Sequence, residues 1–441
     1  MGALRRLWEP TDIASLAMFR ILFGVLMFAG SLRFVLNGWV DRFFVQPTFF
    51  FKYWGFAWVD VLPPAAMYLL FIVCAVAALF IALGWFYRHA VAVFWVVFTY
   101  VELIDVSNYL NHYYLVSLLA GILLFLPANR MWSLDVRWGR VAEQTHMPAW
   151  MLLWLRAQVG TVYVFAALAK FNTDWLLHAQ PLHIWLAARS EMPVFGGLLA
   201  LWPTALVMSW AGFLFDLTIV GWLLWRRSRP WAYAALLTFH VATGFLFSIG
   251  MFPFIMSIAA TLFFAADWPR RAGQPAHPMG LAPTALQKGL LGFAAVWMAV
   301  QVSLPWRHLA YPGDVNWNEQ GMRWSWKVMV REKNGDVTYR VKVPGRRELL
   351  VSPRKYLVND QEREFSAQPD LILQLGKHIG RIYAAEFGQA EVRVDAWVSW
   401  NGRRAARLID PNIDLMLVED DLGPAAWVLD EPSDAPARRN K

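Results

Sequence analysis

The chain predicts a polytopic α-helical membrane protein of about eight or nine transmembrane helices, followed by a C-terminal extramembrane β-rich α+β domain. Three observations carry that expectation. The 441 residues are 58% hydrophobic and 16% charged, against about 45–50% and about 25% in ordinary soluble domains. About nine apolar segments recur before residue 305, each near the roughly 20 residues that cross a bilayer. Beyond residue 304 the long apolar runs stop and strand-like alternation begins.

The apolar segments lie at approximately 13–36, 65–86, 89–106, 109–127, 149–171, 199–225, 231–249, 252–266 and 287–304. Arg20 and Arg33 interrupt the first, so it reads as a retained span and not as a cleavable signal. The second holds the single cysteine, Cys74, a buried small hydrophobe that can form no intrachain disulfide. The eighth is short, and Gly250-Met-Phe-Pro253 marks either a separate span or a break inside a re-entrant element. Basic residues fall at the amino end and in alternate connections: Arg5, Arg6, Arg88, Arg130, Arg137, Arg140, Arg226, Arg227, Arg229, Arg270, Arg271 and Lys288. The opposite connections carry only Arg42, Lys52 and Arg189. This asymmetry puts the N-terminus in the cytoplasm and, with nine crossings, the C-terminal domain outside; eight crossings would reverse that side. The net charge of +8 therefore needs no nucleic-acid partner.

The domains expected are 1–304, transmembrane helical and catalytic; 305–429, extracytoplasmic and β-rich; and 430–441, a polar disordered tail. In the second, Met322–Val330 and Asp336–Val343 read as strands joined through Asn334-Gly335. Glu391–Ser399 and Ala405–Ile409 repeat the pattern around Asn401-Gly402, with a helix over roughly 367–386 between the pairs.

Ionisable groups inside a membrane are functional candidates by default. Lys170 ends the apolar run Val159–Ala169, where an ammonium must snorkel to the interface beside Asp174, pair with an acid, or lose its proton and become a base. His112, in the first turn of the fourth span, comes to the same leaflet. Asp216 and His240, at one depth on neighbouring spans, read as a mainly structural pair. Arg20, Arg156, Glu102 and Asp105 read as interhelical bonding groups or ligand contacts. His178 and His183, spaced i, i+5, fit the outer mouth of a cavity better than haem ligation. There is no His-Glu-x-x-His, no phosphate-binding glycine loop and no Gly-x-Ser-x-Gly, and no metal site is expected.

An ordered series of segments then resembles the vitamin K-dependent gamma-glutamyl carboxylase family, in a short, bacterial-type form. It comprises Asn111-His-Tyr-Tyr-Leu115, Pro127–Asp135, Leu155-Arg-Ala-Gln158, Ala169-Lys-Phe-Asn-Thr-Asp-Trp175 and Phe247-Ser-Ile-Gly-Met-Phe252. Trp324–Val330, Asp395-Ala-Trp-Val-Ser399 and Ile409–Asp414 continue it, so that it runs from about residue 10 to 428. The resemblance implies a carbon-carbon lyase of the bacterial inner membrane. In that family the lysine matching Lys170 deprotonates vitamin K hydroquinone. The anion reacts with O2, and the oxygenated species removes a glutamate γ-proton. The carbanion adds CO2 and the quinone leaves as its epoxide. The residues matching His112 and Asn111 assist. By the same matching, Arg156, Phe247, Ser248 and Met251 face the menaquinol-like naphthohydroquinone, while His178, His183, Trp326 and Trp397 face a glutamate-containing peptide or protein. Membrane lipid and quinone complete the implied partners.

The chain departs from the animal pattern in three ways. Ala169-Lys170 replaces adjacent lysines, a cysteine pair for the family's disulfide is missing, and the chain stops near residue 441. Two further readings follow: a quinol-epoxidising enzyme that uses another acceptor, and a non-enzymatic quinone-binding membrane protein.

Overall fold

The computed structural model describes residues 2–270 and 284–436. Arg271, used above to orient the chain, and positions 437–441 of the expected tail lie outside the described residues.

Every apolar segment forms a helix. These are α1 Ala14–Leu36, α2 Pro64–Leu83, α3 Tyr87–Ile104, α4 Asn111–Phe125, α5 Ala149–Lys170, α6 Trp202–Leu224, α7 Arg229–Leu246, α8 Phe252–Ala260 and α9 Ala285–Ser303. Six of them, α1, α2, α3, α5, α6 and α9, are long and apolar enough to cross a membrane, whereas α4 and α8 are shorter apolar helices. The break at Gly250–Pro253 is present. Gly250 takes φ 58°, and Pro253 sits in the first turn of α8, where its missing N–H costs nothing.

Without a hydrophobic drive between spans, close approach needs small residues. Gly24 of α1 meets α2 so closely that an ideal Cβ would lie 2.7 Å from the Ala78 carbonyl oxygen. Gly84 ends α2 at φ 61°, and a Cβ there would overlap the Arg20 guanidinium. Arg20, fully buried, donates to the Trp132 carbonyl at 2.6 Å and so ties α1 to the connection after α4. Arg156 donates to the carbonyls of Leu262 and Phe264, at 2.7 and 2.8 Å, and Cys74 is buried among the helices.

The C-terminal region holds β1 Lys333–Lys342, β2 Leu349–Val351, α10 Pro369–Phe387, β3 Glu391–Trp400 and β4 Ala406–Arg407. The antiparallel sheet has order β2-β1-β3-β4. Alternate residues Val337, Tyr339 and Val341 of β1 and Val392, Val394, Ala396 and Val398 of β3 are buried with Leu371, Leu375 and Ile379 of α10. The period-two pattern thus covers one face of the sheet with a helix. The helix expected over 367–386 is α10, and Asn401-Gly402 turns the chain after β3 with φ of 48° and 81°.

Two strand expectations fail. Residues 322–330 form no strand, because Trp324, Trp326 and Met329 take φ of 61°, 56° and 53°. Tertiary packing overrides the alternation: the Trp326 ring stacks on Tyr114 at 5.0 Å, and Trp324 on Tyr53 at 5.8 Å. Asn334-Gly335 is not a turn but lies inside β1, opposite Ser399 and Val398. Glycine is required there because an ideal Cβ would sit 2.6 Å from the Ser366 carbonyl carbon. The chain turns instead near Gly345, at φ 72°, and runs into β2.

The sheet domain docks on the connections that carry Arg42, Lys52 and Asp174. Arg42 donates to Asp360 at 2.5 and 2.6 Å, and Gln361 donates to Asp105 at 2.7 Å. Arg42 holds the Asp360 carboxyl below the usual carboxylate range. The deepest tie is Asp174, whose carboxylate accepts two bonds from Arg403, at 2.6 and 2.7 Å, and one from Asn401 at 2.9 Å.

Candidate active site

The C-terminal half of α5 presents Tyr163, Ala166 and Lys170 on one face, the i, i+3, i+7 spacing of a helix stripe. They line a cavity of about 90 Å³. Met208, Gly212 and Asp216 of α6, Phe239, His240 and Thr243 of α7, and Phe252 and Met256 of α8 supply its other walls. Val328 and Met329, from the segment that failed to become a strand, close it from the sheet side.

Lys170 turns inward. Its Nζ donates to Asp216 Oδ2 at 2.9 Å, and it lies 3.4 Å from the Ala166 carbonyl oxygen and 3.5 Å from that of Val328. The Trp175 ring centre is 5.3 Å away, and each side chain of the Lys170–Asp216 pair is only 7% exposed. Of the fates open to Lys170, the structure shows pairing with an acid, Asp216, and not snorkelling beside Asp174, which is engaged by Arg403. Asp216 and His240 do not pair with each other. Their common depth is real, because their neighbours Phe215 and Phe239 stack at 4.0 Å. The His240 Nε2, however, meets Tyr163 Oη at 3.1 Å.

Among the other expected site residues, Phe247 lines the cavity. His112 is buried but does not line the cavity: its ring centre is 6.0 Å from that of Phe252, which lies 5.7 Å from His240. Asn111 Oδ1 accepts from Tyr109 Oη at 2.9 Å, and Tyr109 Oη accepts from the Trp324 N–H at 2.8 Å. Asn111 thereby links α4 to the sheet domain. Arg156 binds the carbonyls that end the α8 turn, Ser248 is exposed on its loop, and Met251 packs beside Gly30. The structure does not bring these three to the cavity. His183 Nε2 donates to the Ala200 carbonyl at 3.1 Å, and the His178 carbonyl accepts from Trp202 Nε1 at 3.2 Å, so both stand outside the cavity wall. Trp326 is buried against Tyr114, whereas Trp397 is 44% exposed with the Arg407 guanidinium 5.1 Å from its ring.

Sequence reasoning did not single out Tyr163, seven residues before Lys170, although that spacing puts both on one helix face. It also missed the backbone of 328–329, for which no side-chain pattern exists.

Chemically, the cavity offers an apolar ring slot and an amine hydrogen-bonded to a carboxylate. Moving one proton along the 2.9 Å bond leaves a free amine beside whatever occupies the slot. A second, larger cleft of about 640 Å³ lies in the sheet half, lined by Lys52, Arg307, Arg323, Trp324, Asp370 and the 418–427 segment.

Residues 8–268 match the family model described as the HTTM domain, and residues 286–434 match the vitamin K-dependent gamma-carboxylase, lumenal domain. No solved structure matches the chain. The helices, the buried lysine cavity and these matches define a carboxylase-like integral membrane protein. The chain belongs to the vitamin K-dependent gamma-glutamyl carboxylase family.

Proposed function

We propose that the protein is a gamma-glutamyl carboxylase of the bacterial inner membrane, with the N-terminus cytoplasmic and the sheet domain extracytoplasmic, working on reduced vitamin K. The observation that carries this reading is Lys170, held by Asp216 in an apolar cavity between the half that matches the HTTM domain and the half that matches the gamma-carboxylase lumenal domain. When bound, the hydroquinone supplies, through its reaction with O2, the strong base that takes a glutamate γ-proton so that CO2 can add. The residues fit such a group: Phe252, Phe239 and Trp175 offer ring faces, and Lys170 offers the proton acceptor.

Asp216 orients the amine, drains its proton and leaves Lys170 free to accept the next. The apolar walls exclude water, which otherwise reprotonates a reactive carbon centre. His112 assists across Phe252, with Asn111 fixing the start of its helix. The 640 Å³ cleft beside Trp324 is of peptide size and supports a polypeptide substrate presented by the sheet domain.

The deciding experiment incubates purified protein with vitamin K hydroquinone, labelled bicarbonate and a short glutamate peptide. Epoxide with label in the peptide is expected; epoxide without label would move the reading to another acceptor. Neither product from folded protein would end it.

Asp216→Asn keeps the shape but removes the charge, and is expected to cut epoxide formation about 10²-fold, the usual weight of a positioned proton-transfer group. An undiminished rate in initial-velocity assays would take Asp216 out of the reaction. The cavity is also smaller than the roughly 300 Å³ at which ligand pockets begin. A fused bicyclic ring therefore needs more room than these walls leave, and Phe247, on the loop between α7 and α8, is one of the wall side chains. Phe247→Ala is expected to lower the KM for bulky 2-substituted naphthohydroquinones several-fold, and a raised KM would instead make Phe247 a ring contact.

A further inference from the structure

The mechanism above leaves the Tyr163–His240 pair of the cavity wall unused. His240 is 1% exposed, and Tyr163 Oη lies 3.1 Å from its Nε2. Its Nδ1 is buried with no hydrogen-bond partner among the described residues. A histidine kept only for packing satisfies both ring nitrogens, because an unpaired buried polar atom costs more than the bond it forgoes. The ring is held by Phe215, Phe239 and Phe252, with centres at 6.3, 5.4 and 5.7 Å, so the open nitrogen is fixed in place.

The cavity has two polar poles. One is Lys170 with Asp216; the other is Tyr163 with His240. Tyr163 and Lys170 are seven residues apart on α5, which is about 10 Å along the helix axis. A para-hydroquinone carries its hydroxyl groups at opposite ends of the ring, matching acceptors placed at opposite poles.

Proton balance leaves a second phenolic proton to place, and it sits at the end of the ring away from Lys170. A hydroquinone that ends as an epoxide carries two carbonyls, so both phenolic protons leave while O2 becomes one epoxide oxygen and one water. Lys170 takes one of those protons. We propose that His240 is the second catalytic residue of this site: Nε2–H donates to Tyr163 Oη, and Nδ1 accepts the hydrogen bond, then the proton, of the hydroxyl para to the one facing Lys170. Tyr163 acts through His240 as a positioning residue that fixes the tautomer. This inference rests on the proposed quinol chemistry and deepens it.

The test is equilibrium binding under anaerobic conditions, where no turnover occurs, of a short-chain menaquinol and its oxidised menaquinone to the full-length protein in detergent. His240→Leu is expected to weaken the quinol about 5- to 10-fold, the value of one buried hydrogen bond, and the oxidised form, which has no proton to donate, less than about twofold. His240→Gln offers an amide oxygen that accepts a bond but cannot carry the proton. It is expected to keep quinol affinity within about threefold and still lose epoxide formation about 10²-fold. Tyr163→Phe, the mildest change in shape, is expected to show a smaller loss in the same direction. Unchanged discrimination between reduced and oxidised forms in folded His240→Leu, or wild-type epoxide formation by His240→Gln, overturns the inference while leaving the Lys170 reading standing. If the wild type binds neither form, the reading of the site falls and this inference falls with it.

Discussion

Lys170→Ala is expected to abolish epoxide formation, a loss of at least about 10²–10⁴-fold, since no other amine lines the cavity among the described residues. Lys170→Arg should fail as completely, because a guanidinium does not give up its proton in a protein. Both changes leave Asp216 in altered company, and an unpaired buried carboxylate destabilises the helix packing. The informative control is the double variant Lys170→Ala with Asp216→Asn, which removes the pair together. It should regain most of the thermal stability lost by Lys170→Ala and none of the activity. Epoxide formation that survived in the single or the double variant would exclude Lys170 as the base.

The second large effect is on stability. Asp174 and Arg403 are 8% and 9% exposed at the side chain, and they join the end of α5 to the turn after β3 through two hydrogen bonds, at 2.6 and 2.7 Å. Removing one partner of such a buried pair typically costs about 3–5 kcal/mol, because the other charge is left without compensation. Arg403→Ala is therefore expected to lower the unfolding temperature markedly in a thermal melt. Asp174→Ala should do the same, and the two together should cost less than the sum of the singles. Strict additivity in a double-mutant cycle would show that the pair carries no coupling and that the sheet domain is held elsewhere.

Much of this fold was legible in the sequence, because length and hydropathy alone specify a bilayer helix. The Gly250–Pro253 break, α10 and the Asn401-Gly402 turn were readable for the same local reason. The failures share one cause. Trp324, Trp326 and Gly335 obey neighbours distant in sequence: Tyr53, Tyr114 and Ser366. An alternating pattern and an Asn-Gly pair carry no trace of those contacts. The site divides in the same way. Lys170 announced itself as an ammonium in an apolar run, and Asp216 and His240 were visible as intramembrane polar groups. Which acid met which base depended on rotation about α5, α6 and α7. Depth along a span is written in residue number; azimuth is written in packing.

The segment over the cavity has a consequence for modularity. Val328 and Met329 belong to the half matched by the lumenal-domain model, yet they complete a chamber whose floor belongs to the half matched by the HTTM model. Left-handed backbone at Trp324, Trp326 and Met329 costs on the order of 1–3 kcal/mol at each residue and persists only where surroundings over-determine it. Those surroundings include Tyr114 of α4. Neither half can therefore be transplanted, trimmed or assayed by itself as a working part. A helical half alone would leave Lys170 facing water, and a sheet half alone would let the 322–330 segment relax.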